Sequence, residues 1–211
     1  MRARPALVRT AFAVGREAGV PVETIAGKRH AWCFRPHFHA GDEIVHVLAG
    51  RARLRLPHGC RDVAAGDTLV VPAGVVHRFE PLDRQGWAFV SRFVPASRAA
   101  ARETTMLAAR AATLLAQRPS LRTDVAALAR DCAVSEGHLS RAFHRETGSS
   151  LHNFHMLLAL QQAKTLLRRQ VPVVEAALSS GFHDQAHLNR EFVRTYGMTP
   201  AVFRGGWTAA A

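Results

Sequence analysis

His37 and His39 stand one residue apart, Glu43 follows four residues after His39, and His77 lies about thirty residues beyond. Three imidazoles and one carboxylate form a nitrogen and oxygen donor set that suits Zn, Fe, Mn, Ni or Cu, with coordination positions left for water or a ligand. In a strand the side chains at i and i+2 share a face, so both early histidines would point into the same interior. The turn residues of "AGD" at 40–42 can then bring Glu43 back beside them. The same four side chains also fit a framework satisfied by hydrogen bonds, and spacing does not choose between the two readings.

The elements that would hold such a site are short strands. The run 51–56, "RARLRL", alternates strictly, placing Ala52, Leu54 and Leu56 on one face and three arginines on the other. Turn residues at 58–59, 64–67 and 72–74 punctuate the chain at close intervals, as a small antiparallel barrel requires. After about residue 96 the texture becomes rich in alanine and leucine with helical periodicity. The fold class expected is α+β in two domains: a small antiparallel β-barrel over 1–96, a short linker over 97–104, and an all-α domain over 105–207 that opens with a helix at Met106–Gln117.

The helical half repeats itself. Shifted by 49 residues, "HLSRAFHRETGSSLHNF" (138–154) lies over "HLNREFVRTYGMTPAVF" (187–203), with His, Leu, Arg, Phe, a second Arg, Gly and a final Phe in register. A repeat of this period marks a duplicated supersecondary unit. In the first copy Val125, Leu128, Ala129 and Cys132 form a buried stripe at i, i+3, i+4, i+7. Ser135 offers an N-cap, Leu139 and Phe143 turn inward, and Gly137, Ser140, Arg141 and His144 face outward. The second copy starts from an Asp184 cap with Leu188 and Phe192 inward and Ala186, Asn189, Arg190 and Val193 outward. Between them, residues 150–169 read as one helix of roughly 20 residues, about 30 Å long, close to one turn of duplex DNA. Arginine can bind guanine bidentately, and glutamine or asparagine can do the same for adenine, so Gln185, Asn189 and Arg190 are candidate base readers. Two helical hairpins packed on each other with solvated arginines are the plainer alternative.

The stretch "GFHDQAHLNREFVRTYGMTPAVFR" (181–204) closely resembles the signature of the AraC/XylS family of bacterial transcription regulators, and the likeness covers roughly residues 104–206. It implies two helix-turn-helix units. Glu136, Gly137, Ser140, Arg141 and His144, then Gln185, Ala186, Asn189 and Arg190, would face the bases, with Arg145 and Arg194 on phosphates. Gly137 brings no side chain to its position, so the first unit is expected to read bases more weakly. The two earlier stretches resemble the paired motifs of the cupin superfamily: His37-x-His39-x-x-x-Glu43 with Gly50, then Gly66, Pro72-x-Gly74 and His77. Pro81 replaces the closing asparagine. A cupin-like barrel ahead of such a helical half is the family's common layout and implies a sensor for a small molecule or metal ion. Cys33, Arg35, Val45, Phe79, Trp87 and Phe89 are candidates to line its pocket, since small-molecule sites favour barrel mouths.

Composition is consistent with this. The net charge of +12 suits a polyanionic partner, but it is spread evenly: 15 basic against 8 acidic residues in 1–99 and 13 against 8 in 100–211. Three cysteines without metal-finger spacing and no apolar run of membrane-spanning length point to a reducing cytoplasm. The function expected is a sequence-specific DNA-binding transcription regulator, an activator of AraC type, without catalytic residues. Promoter DNA, a small-molecule or metal effector, RNA polymerase and a second copy of the chain are its expected partners. The competing reading is a metal-dependent cupin enzyme of dioxygenase or isomerase type with an accessory DNA-binding domain.

Overall fold

The computed structural model describes residues 10–97, 105–118 and 121–209. The expected linker, apart from Ser97, and the first nine residues of the expected barrel domain lie outside that set. The strands are β1 (Thr10–Glu17), β2 (Val20–His30), β3 (Asp42–Ala49), β4 (Arg51–Leu56), β5 (Gly59–Ala64), β6 (Thr68–Val71), β7 (Arg78–Pro81) and β8 (Trp87–Val94). They form a five-stranded sheet of order β1-β2-β8-β3-β6 and a three-stranded sheet of order β5-β4-β7, with every pairing antiparallel. The alternation read in β4 holds for Ala52 and Leu54, which are buried. Leu56, at the strand's end beside the turn, is 36% exposed instead of facing the core.

The helices are α1 (Met106–Ala116), α2 (Val125–Asp131), α3 (Glu136–Thr147), α4 (Leu151–Arg168), α5 (Val173–Ser179), α6 (Gln185–Tyr196) and α7 (Pro200–Thr208). Ser135 and Asp184 cap α3 and α6 by accepting hydrogen bonds from the backbone N–H groups of His138 and His187, which satisfies donors that the helix start leaves open. The repeated glycines end the same two helices. Gly148 and Gly197 take left-handed backbone, φ 68° and 73°, where a side chain would be strained. The connecting helix α4 has 18 residues, about 27 Å of rise, with Ser150 as its N-cap rather than its first turn.

Packing divides the molecule differently from the sequence. One apolar cluster holds Leu128, Leu139 and Phe143 with Ala108, Ala111 and Leu115 of α1. The other is continuous from the barrel, through Val45, Val47 and Trp87, into Leu160, Phe192 and Phe203 of the second helical unit. The barrel and the second unit therefore share a core, while the first unit keeps its own. At the seam the buried carboxylate of Glu23 in β2 meets Lys164 Nζ at 3.4 Å, Arg168 Nη2 at 2.8 Å and Trp207 Nε1 at 3.0 Å. Lys164 Nζ also lies 4.9 Å from the Tyr196 ring centre and 5.1 Å from that of Phe203. Burial alone would raise the Glu23 carboxyl, but Lys164 and Arg168 outweigh it and hold its pKa below the ordinary value.

Removing one partner from such a cluster strands the others without compensation. Glu23→Gln is expected to lower the unfolding free energy by about 3–5 kcal/mol at neutral pH, read from urea denaturation. Because the folded Glu23 gives up its proton more readily than the unfolded one, its contribution is complete above pH 4.5 and fades as pH falls through the folded pKa. The variant should lack that part of the acid loss.

Candidate metal centre and DNA-reading helices

His37 and His39 do not sit in a strand, contrary to the sequence expectation. Residues 31–41 run irregularly between β2 and β3, with one isolated bridge between His37 and His77. Pro36 denies the run a backbone donor and restricts the residue before it, so this strip is positioned by specific contacts instead of a ladder. His37 and His77 exchange backbone hydrogen bonds of 2.9 and 2.8 Å, and Gly74 donates to the His39 carbonyl at 2.9 Å. The three imidazoles are buried, and their candidate ligand atoms all lie within 4.8 Å of one another. Glu43 on β3 joins them, with Oε2 at 2.9 Å from His77 Nε2 and 3.4 Å from His39 Nε2.

The hydrogen bonds orient these rings as ligands. His37 Nδ1 faces the Arg35 carbonyl at 2.7 Å and His77 Nδ1 faces the Val75 carbonyl at 2.9 Å. A carbonyl accepts only, so each Nδ1 carries a proton, and in a neutral ring Nε2 then holds the lone pair, the second-shell arrangement usual for a metal-bound histidine. Among the described residues His39 has no hydrogen-bond partner on either ring nitrogen: the Glu43 oxygen is close, but not aligned for one. Between His77 Nε2 and the Glu43 carboxylate something positive must stand, either a proton or a metal ion. Burial, reinforced by His77 and His39, pushes the His37 pKa well below the ordinary value. Burial also brings His39 down to about 4 despite the nearby Glu43. Neutral imidazoles are the metal-binding form. The donor set, its burial and the orphaned His39 ring fit a divalent ion.

The cavity beside these ligands is bounded by Ile25, Phe34, Phe79, Trp87, Phe89 and Phe93 of the barrel and by Thr195 and Tyr196 of α6. Its free volume is about 30 Å³, room for roughly two waters. Phe79, Trp87 and Phe89 thus line it as expected, but three candidates do not. Cys33 is exposed outside the barrel. Arg35 turns away to Glu191 of α6, with Nη1 to Oε2 at 2.6 Å, because that buried carboxylate offers it a partner. Val45, though buried, points into packed core rather than free space. Thr195 and Tyr196 were missed. Tyr196 is the chain's single tyrosine, but it lies 119 or more residues from every candidate ligand, so only packing reveals its place.

On α3 the residues Glu136, Gly137, Ser140, Arg141, His144 and Arg145 are exposed, as are Gln185, Ala186, Asn189 and Arg190 on α6, while Val193 is half-buried. Arg194 is exposed but pairs with Glu191 at 3.2 Å. Arg141 and Arg190 have no ion-pair partner among the described residues. The barrel arginines differ: Arg51, Arg53 and Arg55 pair with Asp83, Asp62 and Glu80. The outward faces of the repeat thus carry cations without ion pairs among the described residues.

Comparison with known proteins agrees with this division. A helix-turn-helix domain family matches residues 128–206, and a cupin domain family matches residues 23–83. The chain is 31% identical over 84 residues to the arabinose operon regulatory protein of Escherichia coli strain K12, 39% of this chain and 29% of that protein. It is 33% identical over 89 residues to the HTH-type transcriptional regulator GlxA of Rhizobium meliloti, 42% of this chain and 26% of that one. It thus spans less than a third of the length of these curated relatives. The crystal structure of ToxT from Vibrio cholerae O395 shares the fold at TM-score 0.60 and 8% identity, covering 90% of this chain and 99% of that one. A cupin domain family thus matches within the barrel half and a helix-turn-helix domain family within the helical half.

An ion that binds only the folded chain stabilises it by mass action. Zinc at a hundredfold excess over its dissociation constant should add about 2.7 kcal/mol to the unfolding free energy. His39→Ala should abolish that increment, and urea denaturation with and without chelator checks both.

Proposed function

We propose that this protein is a cytoplasmic transcription regulator that reads promoter DNA through α3 and α6 and senses a divalent transition-metal ion in its barrel. The observation that carries the first part is the duplicated pair of capped helices whose outward arginines, Arg141 and Arg190, are exposed and free of ion pairs among the described residues. Clustered unpaired cations gain most from displacing the counterions condensed on a duplex. In this reading Gln185, Asn189, Arg190, Ser140 and Arg141 meet base edges from consecutive major grooves, and Arg145 and Arg194 meet phosphates. Ala186 and Gly137 let the helices approach closely.

Cavity size supports an ion as the effector. About 30 Å³ of free space holds an ion with a water, whereas organic ligands occupy pockets of roughly 300–1,000 Å³. ToxT of Vibrio cholerae strain SCE256 has been solved with a bound unsaturated fatty acid, a molecule much larger than the free space of this cavity. The same limit argues against the cupin-enzyme reading, which needs substrate beside the ion. His37, His39, His77 and Glu43 would hold the ion, which when bound supplies a positive charge that draws four separate donors together. Activation would bring RNA polymerase beside the bound protein, and the sheet edges β1 and β6 are where a second copy could pair.

Selection from random duplexes is expected to enrich a motif with two half-sites about 10 base pairs apart. Arg190→Ala should cost about 1–3 kcal/mol and relax preference at one position, whereas Arg145→Ala should weaken all sequences alike and reduce the salt slope by about one. A selection that enriches no motif overturns the proposal.

A further inference from the structure

The strip that carries His37 and His39 is also the strip on which the reading domain rests. Its barrel side is the bridge to His77. Its other side meets α6 and α4. The Arg35 backbone N–H donates to the Arg194 carbonyl at 3.3 Å. The Arg35 guanidinium holds Glu191 at 2.6 Å, and the other oxygen of Glu191 accepts from Arg194 at 3.2 Å. Arg35 therefore grips the last turns of α6 twice, while its own carbonyl accepts the His37 Nδ1 proton at 2.7 Å.

The neighbouring residue is held as firmly. Gln161 of α4 donates through Nε2 to the Phe38 carbonyl at 2.7 Å and to the Tyr196 hydroxyl at 3.2 Å. The Phe38 ring stacks on Phe154 of α4 at 5.4 Å. Tyr196 and Thr195 then close the cavity, the Tyr196 ring standing 6.0 and 6.2 Å from those of His37 and His39.

We propose that the strip 35–39 is the joint between sensor and reader, so that fixing the histidines with an ion also fixes α6. The inference rests on the reading of the barrel as an ion site and names how that site is regulated and read out. An ion at the cluster sets the positions of His37 and His39, and the intervening carbonyls of Arg35 and Phe38 move with them. Those carbonyls and the Arg35 side chain are what α6 and α4 hold. The docked α6 keeps Gln185, Asn189 and Arg190 exposed, so docking orders the helix without covering its reading face. The ion therefore raises DNA affinity, and DNA raises ion affinity by the same factor, because coupling between two sites is reciprocal.

The test measures the ratio of DNA affinities with saturating zinc and with chelator, on a duplex selected from random sequence, for the full chain. The wild type should show a ratio of at least about fivefold. Glu191→Gln and Tyr196→Phe remove two of the links without removing a proposed ion ligand or base reader, and each should bring the ratio toward one while zinc still binds. Glu191→Gln also alters charge near DNA, but that shifts both affinities and leaves their ratio untouched. Arg53→Ala, on the barrel's solvent side, should keep the wild-type ratio. A ratio unchanged in both linking variants, a wild-type ratio of one with zinc bound, or a ratio below one overturns the joint while leaving the ion site standing. Failure of the wild type to bind zinc more tightly than His39→Ala overturns the ion reading, and the joint with it.

Discussion

The interaction on which the rest depends is the shared core between the barrel and the second helix-turn-helix unit. Most two-domain chains bury apolar surface in separate interiors and meet through a modest polar seam. Here one apolar cluster runs from Val45 and Trp87 to Phe192 and Phe203. The price of continuity is a buried ion cluster, since Lys164 reaches the seam on α4 and must find Glu23 there. A lysine ammonium enclosed by Tyr196, Phe93 and Phe203 rings would be costly without that carboxylate. The seam thus specifies one docking geometry, because sliding the helices would separate the charges.

That geometry gives the metal cluster its fourth wall. A cupin-like barrel alone has an open mouth, and in this chain Thr195 and Tyr196 fill it. Burial there leaves the His39 ring without a hydrogen-bond partner among the described residues and holds His37 and His39 below the ordinary imidazole pKa. The surroundings of the histidine cluster are therefore partly made by the helical half. Conversely, α6 gains its orientation from the strip that presents the histidines, while α3 packs with α1 on a separate core. The two units are alike in sequence but not in environment, and the second is the one that shares the barrel's apolar core.

Charge is handled differently on β4 and on the outward helix faces, although the chain's excess of +12 marks no single face. Arg51, Arg53 and Arg55 of β4 are paired with Asp83 after β7, Asp62 on β5 and Glu80 on β7, so the strand most conspicuous for arginine has a carboxylate beside each one. Arg141 and Arg190 lack such partners among the described residues and remain available to a polyanion.

Local patterns were legible because they depend on short-range physics. Capping by Ser135 and Asp184, termination at Gly148 and Gly197, the inward Leu139, Phe143, Leu188 and Phe192, and the alternation of Ala52 and Leu54 each follow from periods and backbone preferences within a few residues. The grouping of His37, His39, Glu43 and His77 was legible too, since paired motifs with turn residues bring them together. What required the tertiary structure was every relation between distant segments. The turn of Arg35 from the pocket to Glu191, the exposure of Cys33, the irregular path of the histidine strip and the arrival of Tyr196 over the cavity all depend on how the helical half docks. Periodicity determines which face of an element is apolar, but not which of several apolar faces it meets. That choice is made by the seam around Glu23 and Lys164, where burying a charge leaves only one arrangement with its partner in reach.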